Sequence, residues 1–290
     1  MQNDPSSSVS ETNTFPFDLG EVPEMASFID HYQTITKAMG GPLAEQNDLS
    51  HFSQMLDLAC GPGSWVLDVA HANTHIDVAG VDANPMMVEY ASARARSQGL
   101  HNASFEVMDI FHPLDFSDNT FDLVNAQLLA AFVPRKLWPQ ILQECLRITR
   151  PGGIFRMTEV EGGGHTNSAA YEKMHRYLSQ AMHAAGFGFS PDGLSPRITP
   201  MMGRLLKNAG YQNIQYRAFA IDFSAGSEAH GSIYRNTAIV SKIGQTFAVK
   251  MGVAKPDEIE QLYQQIQIDM LADDFCGIWF HLTVWGTKPL

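Results

Sequence analysis

The chain has 290 residues, 44% of them hydrophobic, and a formal net charge of −12 with histidine counted as neutral. A chain of this size is long for one domain and short for two full ones, and its hydrophobic content is ample for a large core. The acidic charge argues against tight binding to nucleic acid phosphates, so no nucleic acid partner is expected.

The N-terminal residues are polar and include a run of serines, which predicts a disordered tail over residues 1–15. They lack the basic and apolar segments of a targeting peptide, and no apolar stretch reaches the ~20 residues that a membrane helix needs. Three widely spaced cysteines, Cys60, Cys145 and Cys276, indicate reduced thiols. A cytoplasmic protein without a membrane partner is therefore expected.

Residues 16–53 are predicted to form an N-terminal helical segment. Apolar residues recur at helical spacing over residues 24–39, and Gly40-Gly41-Pro42 ends this helix. Strand and helix patterns then alternate over residues 54–160, which predicts a doubly wound parallel sheet.

The first strand of that region turns into a helix through a loop of small residues. An apolar run reaches Asp57 and is followed by Gly61 and Gly63, where glycine lets the chain bend sharply and a ligand approach closely. The dinucleotide fingerprint is incomplete because Val66 takes the place of its third glycine, which argues against NAD or FAD. An acid before the turn suits a ligand with an amine or a positive sulfur better than a pyrophosphate.

Two more acids follow the next two strands. The strand predicted over residues 76–81 leads to Asp82, about 20 residues beyond the loop, where a carboxylate can accept hydrogen bonds from a ribose diol. The strand predicted over residues 104–108 leads to Asp109. Each acid alone fits a capping or solvated loop aspartate, but three of them at successive strand ends favour a nucleoside site.

Five segments of this region resemble, in the same order, the motifs of class I S-adenosylmethionine-dependent methyltransferases. They are the glycine-rich motif at 56–63, the second motif at 78–87, the adenine-side motif at 105–110, the approach to the fourth strand at 116–124 and the turn into the fifth at 146–155. The resemblance covers residues 54–159. It implies an α/β fold with a doubly wound, mostly parallel seven-stranded sheet, an antiparallel last strand and S-adenosyl-L-methionine as the cofactor.

The resemblance also implies roles for individual residues. Asp57 would orient the loop and the ammonium end of the cofactor, Asp82 would hold the ribose hydroxyls, and Asp109 would accept from the adenine amine. The other expected cofactor contacts are Tyr32, Ala59, Gly61, Gly63, Ala83, Met87, Ile110, Asn125, Gln127 and Leu128. Of these, Asn125, Gln127 and Leu128 end the fourth strand towards the transferred methyl, and Tyr32 would close over the methionine end. Ordinary strand-end packing and a core tyrosine are the alternatives.

The second half is predicted to carry a helical cap. Residues 161–213 contain two helical patterns around a glycine-rich loop, and residues 214–290 contain the last two strands with a helical insertion at about 225–272. Insertions of this length are more than loops, and the carboxyl ends of the strands, where such sheets bind ligands, are the expected place for a cap. A dimerisation arm that forms a homodimer is the alternative, and both roles can coexist.

The predicted reaction is methyl transfer to an O, N or C atom of a small, fairly apolar acceptor of the secondary-metabolite type. A hydroxyl acceptor would need a base, for which His165, with Glu161 close by, is the first candidate and His281 an alternative. An amine would need little base. No set of oxygen ligands for a hard cation is evident, so no metal is assigned. The alternative function is a non-catalytic or regulatory S-adenosylmethionine-binding protein that uses its insertions to bind partners.

Overall fold

The computed structural model describes the backbone of residues 22–290 and the side chains of residues 26–290. The tail predicted over residues 1–15 lies outside the described residues. The first element, α1 (Val22–Met39), agrees with the helix predicted over residues 24–39, and Gly40 follows it with φ +87°. A loop then leads into the sheet.

Strands and helices alternate in the first half of the fold, as predicted. In chain order they are β1 (Gln54–Leu58), α2 (Ser64–Ala72), β2 (Asp77–Asp82), α3 (Pro85–Gln98), β3 (Ala103–Val107), β4 (Phe121–Gln127), α4 (Trp138–Ile148) and β5 (Thr149–Val160). The side chain of Asn84 caps α3 by accepting from the Met86 N–H, and Pro85 occupies the first turn. Strand β4 is mostly buried because helices cover both faces of the sheet.

The second half contributes three strands and four helices. They are β6 (His165–Thr166), α5 (Ala169–Ala184), α6 (Met202–Ala209), β7 (Gln212–Asp222), α7 (His230–Lys250), α8 (Pro256–Met270) and β8 (Gly277–Thr287). None of the helices within residues 22–290 is long and apolar enough to cross a membrane.

The strands form one sheet in the order β3-β2-β1-β4-β5-β8, with β7 on the far side of β8. Strands β1 to β5 are parallel, whereas β8 runs antiparallel to both β5 and β7. The predicted doubly wound, mostly parallel sheet with an antiparallel last strand is confirmed. The sheet has eight strands and not seven, because His165 and Thr166 form β6, which pairs with β8 beyond the end of β5.

Helices α1, α5, α7 and α8 pack together over one face of the sheet and are called the cap below. Their shared core includes Ile35, Ile233, Ile266 and Trp279. An added Cβ at Gly244 of α7 would lie 2.5 Å from a side-chain atom of Leu178, so glycine allows α5 and α7 to approach closely. The cap therefore includes α1 with α5, α7 and α8, whereas α6, the other helix of the first predicted insertion, packs against α4.

Candidate active site

The loop between β1 and α2 has an unusual backbone. Ala59, Gly61 and Gly63 have φ values of +51°, +51° and +76°, in the left-handed region that favours glycine. An added Cβ at Gly63 would lie 2.7 Å from the Phe105 ring and 2.8 Å from Ala91, so this position must be glycine for the loop to pack. An added Cβ at Gly61 would meet nothing within 4 Å, so Gly61 borders open space at the carboxyl end of the sheet.

Asp82, at the end of β2, holds this loop in place. Its Oδ2 accepts from the Gly61 N–H at 2.8 Å and its Oδ1 accepts from the Asn84 N–H at 2.9 Å. Burial raises the pKa of this carboxyl, and the two hydrogen bonds oppose that rise. Each carboxylate oxygen has a second lone pair, so Asp82 retains acceptor capacity for a ribose diol. The expected neighbours of the sugar are the exposed Ala83 and the buried Met87.

Asp109 follows β3 and lies on the adjacent strand end. Its Oδ1 accepts from the Phe111 N–H at 2.9 Å in a local turn, which leaves the carboxylate half-exposed. Ile110 is buried beside it. The Met108 N–H donates to the Asp82 carbonyl at 3.1 Å and joins the two strand ends. Asp57, Asp82 and Asp109 thus follow the carboxyl ends of three neighbouring strands, as the sequence predicts.

Asp57 is held from within the sheet. The Asn125 amide donates to Asp57 Oδ1 at 2.7 Å, and its own oxygen accepts from Arg156 at 2.5 Å. Burial raises the pKa of Asp57 to about 7, with a smaller contribution from Asp82, whereas Asn125 and Arg156 lower it. Asn125 is 0% exposed, and its side-chain amide supports Asp57.

The remaining residues expected near the methyl lie where β4 meets the cap. Gln127 pairs with Thr158 across the sheet, and its Nε2 is buried without a hydrogen-bond partner. Leu128, with φ +57°, packs against the cap core. The Tyr32 hydroxyl donates to Asp68 at 3.0 Å, so this side chain is tied to α2. Burial, Asp68 and nearby Asp57 all raise the pKa of Tyr32.

Two buried histidines lie among aromatic rings between α1 and β8. The His281 ring stacks on Phe219 at 4.9 Å, Trp279 lies 4.9 Å from the same ring, and His31 lies 5.1 Å from Trp279. His281 is 2% exposed, and neither of its ring nitrogens makes a hydrogen bond; Nδ1 of His31 is likewise unpartnered. Burial lowers the pKa of His281 to about 3 and that of His31 to about 4, so both rings are neutral.

These histidines face the same side of the sheet as Asp57. Asp57, Asn125 and Arg156 are directly paired across β1, β4 and β5 and therefore share one face. Val160 lies an even number of residues beyond Arg156 on β5, on that same face, and it pairs with His281. Asp57 and the histidine cluster therefore lie on one face of the sheet, the face that the cap covers.

The structure separates His165 from this region. His165 pairs with Ile278, which is an odd number of residues from His281, so the two histidines lie on opposite faces of the sheet. His165 is exposed beside Phe280 and lines a groove of about 320 Å³ that also contains Asp222 and Cys276. His165 therefore lies on the face of the sheet opposite to Asp57 and His281.

Glu161 acts as a tether. Its carboxylate accepts from the Arg197 N–H at 2.6 Å and from the Thr199 hydroxyl at 2.7 Å. These contacts fasten the segment between α5 and α6 to the end of β5. Neighbouring Glu159 accepts from the Ala130 N–H at 3.0 Å, and burial raises its pKa to about 8.

The sequence does not predict a place in the site for three residues, which are His31, Arg156 and Glu45. Arg156 is 0% exposed, and its Nε donates to Glu45 at 2.5 Å. A single arginine inside the apolar run of residues 154–157 is the signal that could have found it, because a buried arginine requires a partner. No comparable signal marks Glu45, which lies in the loop before β1.

Comparisons with known proteins show which family the chain resembles. The model of the methyltransferase domain family matches residues 50–217. The chain is 29% identical over 148 residues to methyltransferase GfsG of Streptomyces halstedii, covering 50% of this chain and 51% of that protein. It is 28% identical over 170 residues to the secondary metabolism regulator laeA of Aspergillus niger, covering 57% and 41%. The chain thus spans about half the length, or less, of these two relatives.

A similar fold occurs in phosphoethanolamine N-methyltransferase 2 of Haemonchus contortus, solved with phosphomonomethylethanolamine and S-adenosylhomocysteine. The TM-score is 0.57 at 16% identity, and the match covers 97% of this chain and 61% of that one. At this identity the likeness concerns the fold alone.

The residues around the loop fit S-adenosylmethionine. Gly61 borders open space, Asp82 has lone pairs for a diol, and among the described residues no hydrogen bond reaches Asp57 Oδ2. An anionic set of this kind suits a ligand that carries an ammonium and a sulfonium group. The chain belongs to the methyltransferase domain family.

Proposed function

We propose that the chain methylates an O, N or C atom of a small, fairly apolar acceptor of the secondary-metabolite type, held beneath the cap. The observation that carries this proposal is the buried cluster of His31, His281, Trp279 and Phe219 on the same face as Asp57. Buried polar atoms without partners are rare in proteins, and such atoms among aromatic walls suit a ligand with both apolar surface and a polar group.

On the cofactor side, three carboxylates would divide the binding between them. Asp57 Oδ2 would face the ammonium group, Asp82 the ribose hydroxyls and Asp109 the adenine amine, with the Ile110 N–H on a ring nitrogen. The bound cofactor supplies a methyl group on a positively charged sulfur, which is already a good electrophile. The protein then has to orient the acceptor atom behind that methyl and exclude water.

On the acceptor side, His281 replaces His165 as the proposed proton acceptor. A neutral imidazole nitrogen can accept a hydrogen bond from an acceptor hydroxyl or amine. The attacking oxygen or nitrogen becomes positively charged as it takes the methyl from the sulfur, and this favours transfer of its proton to the imidazole. Gln127 Nε2 and His31 Nδ1 would supply further hydrogen bonds. The cap would exclude water from this region.

The similarity to laeA favours a second candidate function. That relative is named as a regulator of secondary metabolism, so a regulatory protein that binds the cofactor and uses its cap for partners stays a candidate. A homodimer through the cap, the absence of a nucleic acid partner and a cytoplasmic location also stay predictions.

The test is to incubate the purified chain with tritium-labelled S-adenosylmethionine and a metabolite extract. We expect label on a small molecule, which would then be identified by mass spectrometry. Label only on protein, or no transfer although the cofactor binds, would favour the regulatory candidate.

Variants then test the assigned residues. Asp82→Ala should weaken cofactor binding by about 1–3 kcal/mol, because hydroxyls lose an acceptor and the Gly61 N–H is left unpaired. His281→Phe should abolish turnover at saturating cofactor while cofactor affinity persists, and His165→Phe is its matched control on the opposite face. Loss of turnover only in His165→Phe would restore the original candidate.

A further inference from the structure

A row of four polar side chains crosses the sheet beneath the cofactor site. Asp57, Asn125 and Arg156 are paired residues of β1, β4 and β5, and Glu45 reaches Arg156 from the loop before β1. The hydrogen bonds measure 2.7 Å from Asn125 to Asp57, 2.5 Å from Arg156 to Asn125 and 2.5 Å from Arg156 to Glu45. The Arg156 side chain is 0% exposed and that of Glu45 is 3% exposed.

Arg156 fixes which way the Asn125 amide points. Guanidinium groups only donate, so the amide oxygen of Asn125 must face Arg156 and its NH₂ must face Asp57. An NH₂ donor stabilises an ionised carboxylate, whereas a protonated carboxyl would prefer the amide oxygen. Without Arg156, the amide could turn so that its oxygen accepts a hydrogen bond from a protonated Asp57.

We propose that Arg156 and Glu45 are positioning residues for the cofactor: they orient the Asn125 amide so that Asp57 presents an ionised oxygen to the cofactor's ammonium group. This inference rests on the role proposed for Asp57 in cofactor binding. Glu45 neutralises and aligns the guanidinium, and Asn125 transmits its orientation to Asp57. The segment between α1 and β1 thereby contributes to a site that it does not touch.

Several groups influence the charge of Asp57 besides this row. Asp82 of β2 raises its pKa, and burial raises it most, to about 7. Tyr32 approaches from α1, and its hydroxyl is bonded to Asp68 of α2. The thiol of Cys60 lies in the loop, and its pKa is raised by burial and by Asp57, so it adds no charge. Arg156 is the one cation near Asp57 for which the structure gives a favourable effect within residues 26–290.

A purely structural role would not require these residue types. Replacing both members of a buried ion pair with apolar residues of similar size is often neutral or stabilising. The double variant Glu45→Leu/Arg156→Met therefore keeps the volume of the pair and removes only its charge and hydrogen bonds. Thermal unfolding would verify that this variant remains folded.

The experiment measures the dissociation constants of two probes by calorimetry, from about pH 5.5 to about pH 7.5, where an α-amino group is largely charged. S-adenosylhomocysteine carries the amino acid end that Asp57 would bind. 5′-Methylthioadenosine has the same nucleoside without that end. It reports on Asp82, Asp109 and the loop but not on Asp57.

For the native chain, S-adenosylhomocysteine should bind more tightly as pH rises towards 7, because Asp57 must lose a proton to bind. The pKa of Asp57 rises when Arg156 is removed, so the double variant should bind about three- to tenfold more weakly at neutral pH and reach full affinity only at higher pH. Affinity for 5′-methylthioadenosine should be unchanged.

A second variant predicts a shift of opposite sign. In Glu45→Gln the Arg156 charge is no longer neutralised, so Asp57 should ionise at lower pH and S-adenosylhomocysteine should keep its affinity in acid. Arg150→Met is the matched control, since Arg150 pairs with Asp122 between the same two strands at the far end of the sheet. This control should change the pH dependence of affinity for neither probe.

Three outcomes would overturn the proposal. The first is an equal loss of affinity for both probes in the double variant. The second is a pH shift of the same sign in the double variant and in Glu45→Gln. The third is unchanged affinity of the double variant for S-adenosylhomocysteine. If the native chain bound neither probe, the proposed cofactor residues would themselves be wrong, which is a different failure.

Discussion

Gly61 and Gly63 share a left-handed backbone but have different surroundings. Gly63 is enclosed by Phe105 and Ala91, whereas Gly61 borders open space. Ala59 adopts the same backbone as Gly61, so an alanine is tolerated in this loop. Gly63 is therefore required for packing of the loop, whereas Gly61 leaves space for a ligand.

We expect Gly63→Ala to destabilise the fold by about 2–4 kcal/mol, from overpacking added to the left-handed strain. Gly61→Ala should cost only about 1 kcal/mol of stability, because strain acts alone there. It should nevertheless weaken S-adenosylhomocysteine binding strongly, because its methyl would enter the proposed site. Denaturant unfolding and calorimetry measure the two effects. Gly61→Ala with native affinity would mean that the cofactor does not approach this face of the loop.

Glu159 offers a single-residue test of buried charge. Burial raises its pKa to about 8, above the usual value of 4.5, so folding favours the protonated form. Its contribution to stability is complete below about pH 4.5 and is lost as pH rises through 8. In Glu159→Gln the amide oxygen still accepts from Ala130, and no charge develops. The variant should therefore gain stability over the native chain by up to about 1.4 kcal/mol per pH unit across this range. If the variant and the native chain differed in stability by the same amount at about pH 5 and about pH 8, this account of Glu159 would be wrong.

At the level of elements, the end of β5 organises the segment that precedes α6. Glu161 holds Arg197 and Thr199, and Arg197 has φ +53°. Both carboxylate oxygens of this acid, which lies in a glycine-rich loop near His165, accept from another segment. The sequence could not show this because the two segments lie far apart along the chain.

We expect Glu161→Ala to speed hydrogen exchange at residues 197–201 while cofactor affinity stays near the native value, because the backbone N–H groups lose their acceptor. Asp192→Ala is the control, because Asp192 accepts from the Ser190 hydroxyl and the Leu194 N–H, which both lie within the same segment. A fall in turnover with unchanged exchange in Glu161→Ala would instead support a catalytic glutamate.

At the level of the whole molecule, lowering the pH has opposite effects on the stability of the region between α1 and β8 and on that of the parallel strands. His31 and His281, between α1 and β8, have pKa values lowered to about 4 and about 3. Stability from these neutral rings is complete above the unfolded value of 6.5 and falls as pH decreases below it. Asp57 and Glu159, within the parallel sheet, have raised pKa values and gain stability on the same change.

Lowering the pH from about 7 to about 5 should therefore loosen the cap relative to the sheet. Hydrogen exchange, corrected for its intrinsic pH dependence, should show lost protection in α1 and β8 before β1 and β4. The double variant His31→Phe/His281→Phe should remove this difference in protection. Uniform loss of protection would show that the histidines are not the cause.

The sequence alone determined the alternating α/β fold, the glycine loop and the positions of Asp57, Asp82 and Asp109. These follow from local signals, because residue periodicity and turn chemistry depend on neighbours along the chain. Parallel strands then bring their carboxyl ends to one edge of the sheet, so three acids at strand ends predict one crevice.

Only the tertiary structure decided which polar residues support that crevice. Insertion of β8 beside β5, and its register, put His281 beneath the cap and His165 on the other face. The pairing of β4 with β1 and with β5 aligned Asn125 with Asp57 and Arg156. A shift of one residue in register exchanges the two faces of a strand. The partners that set this register lie far away along the chain, so local sequence signals do not identify them.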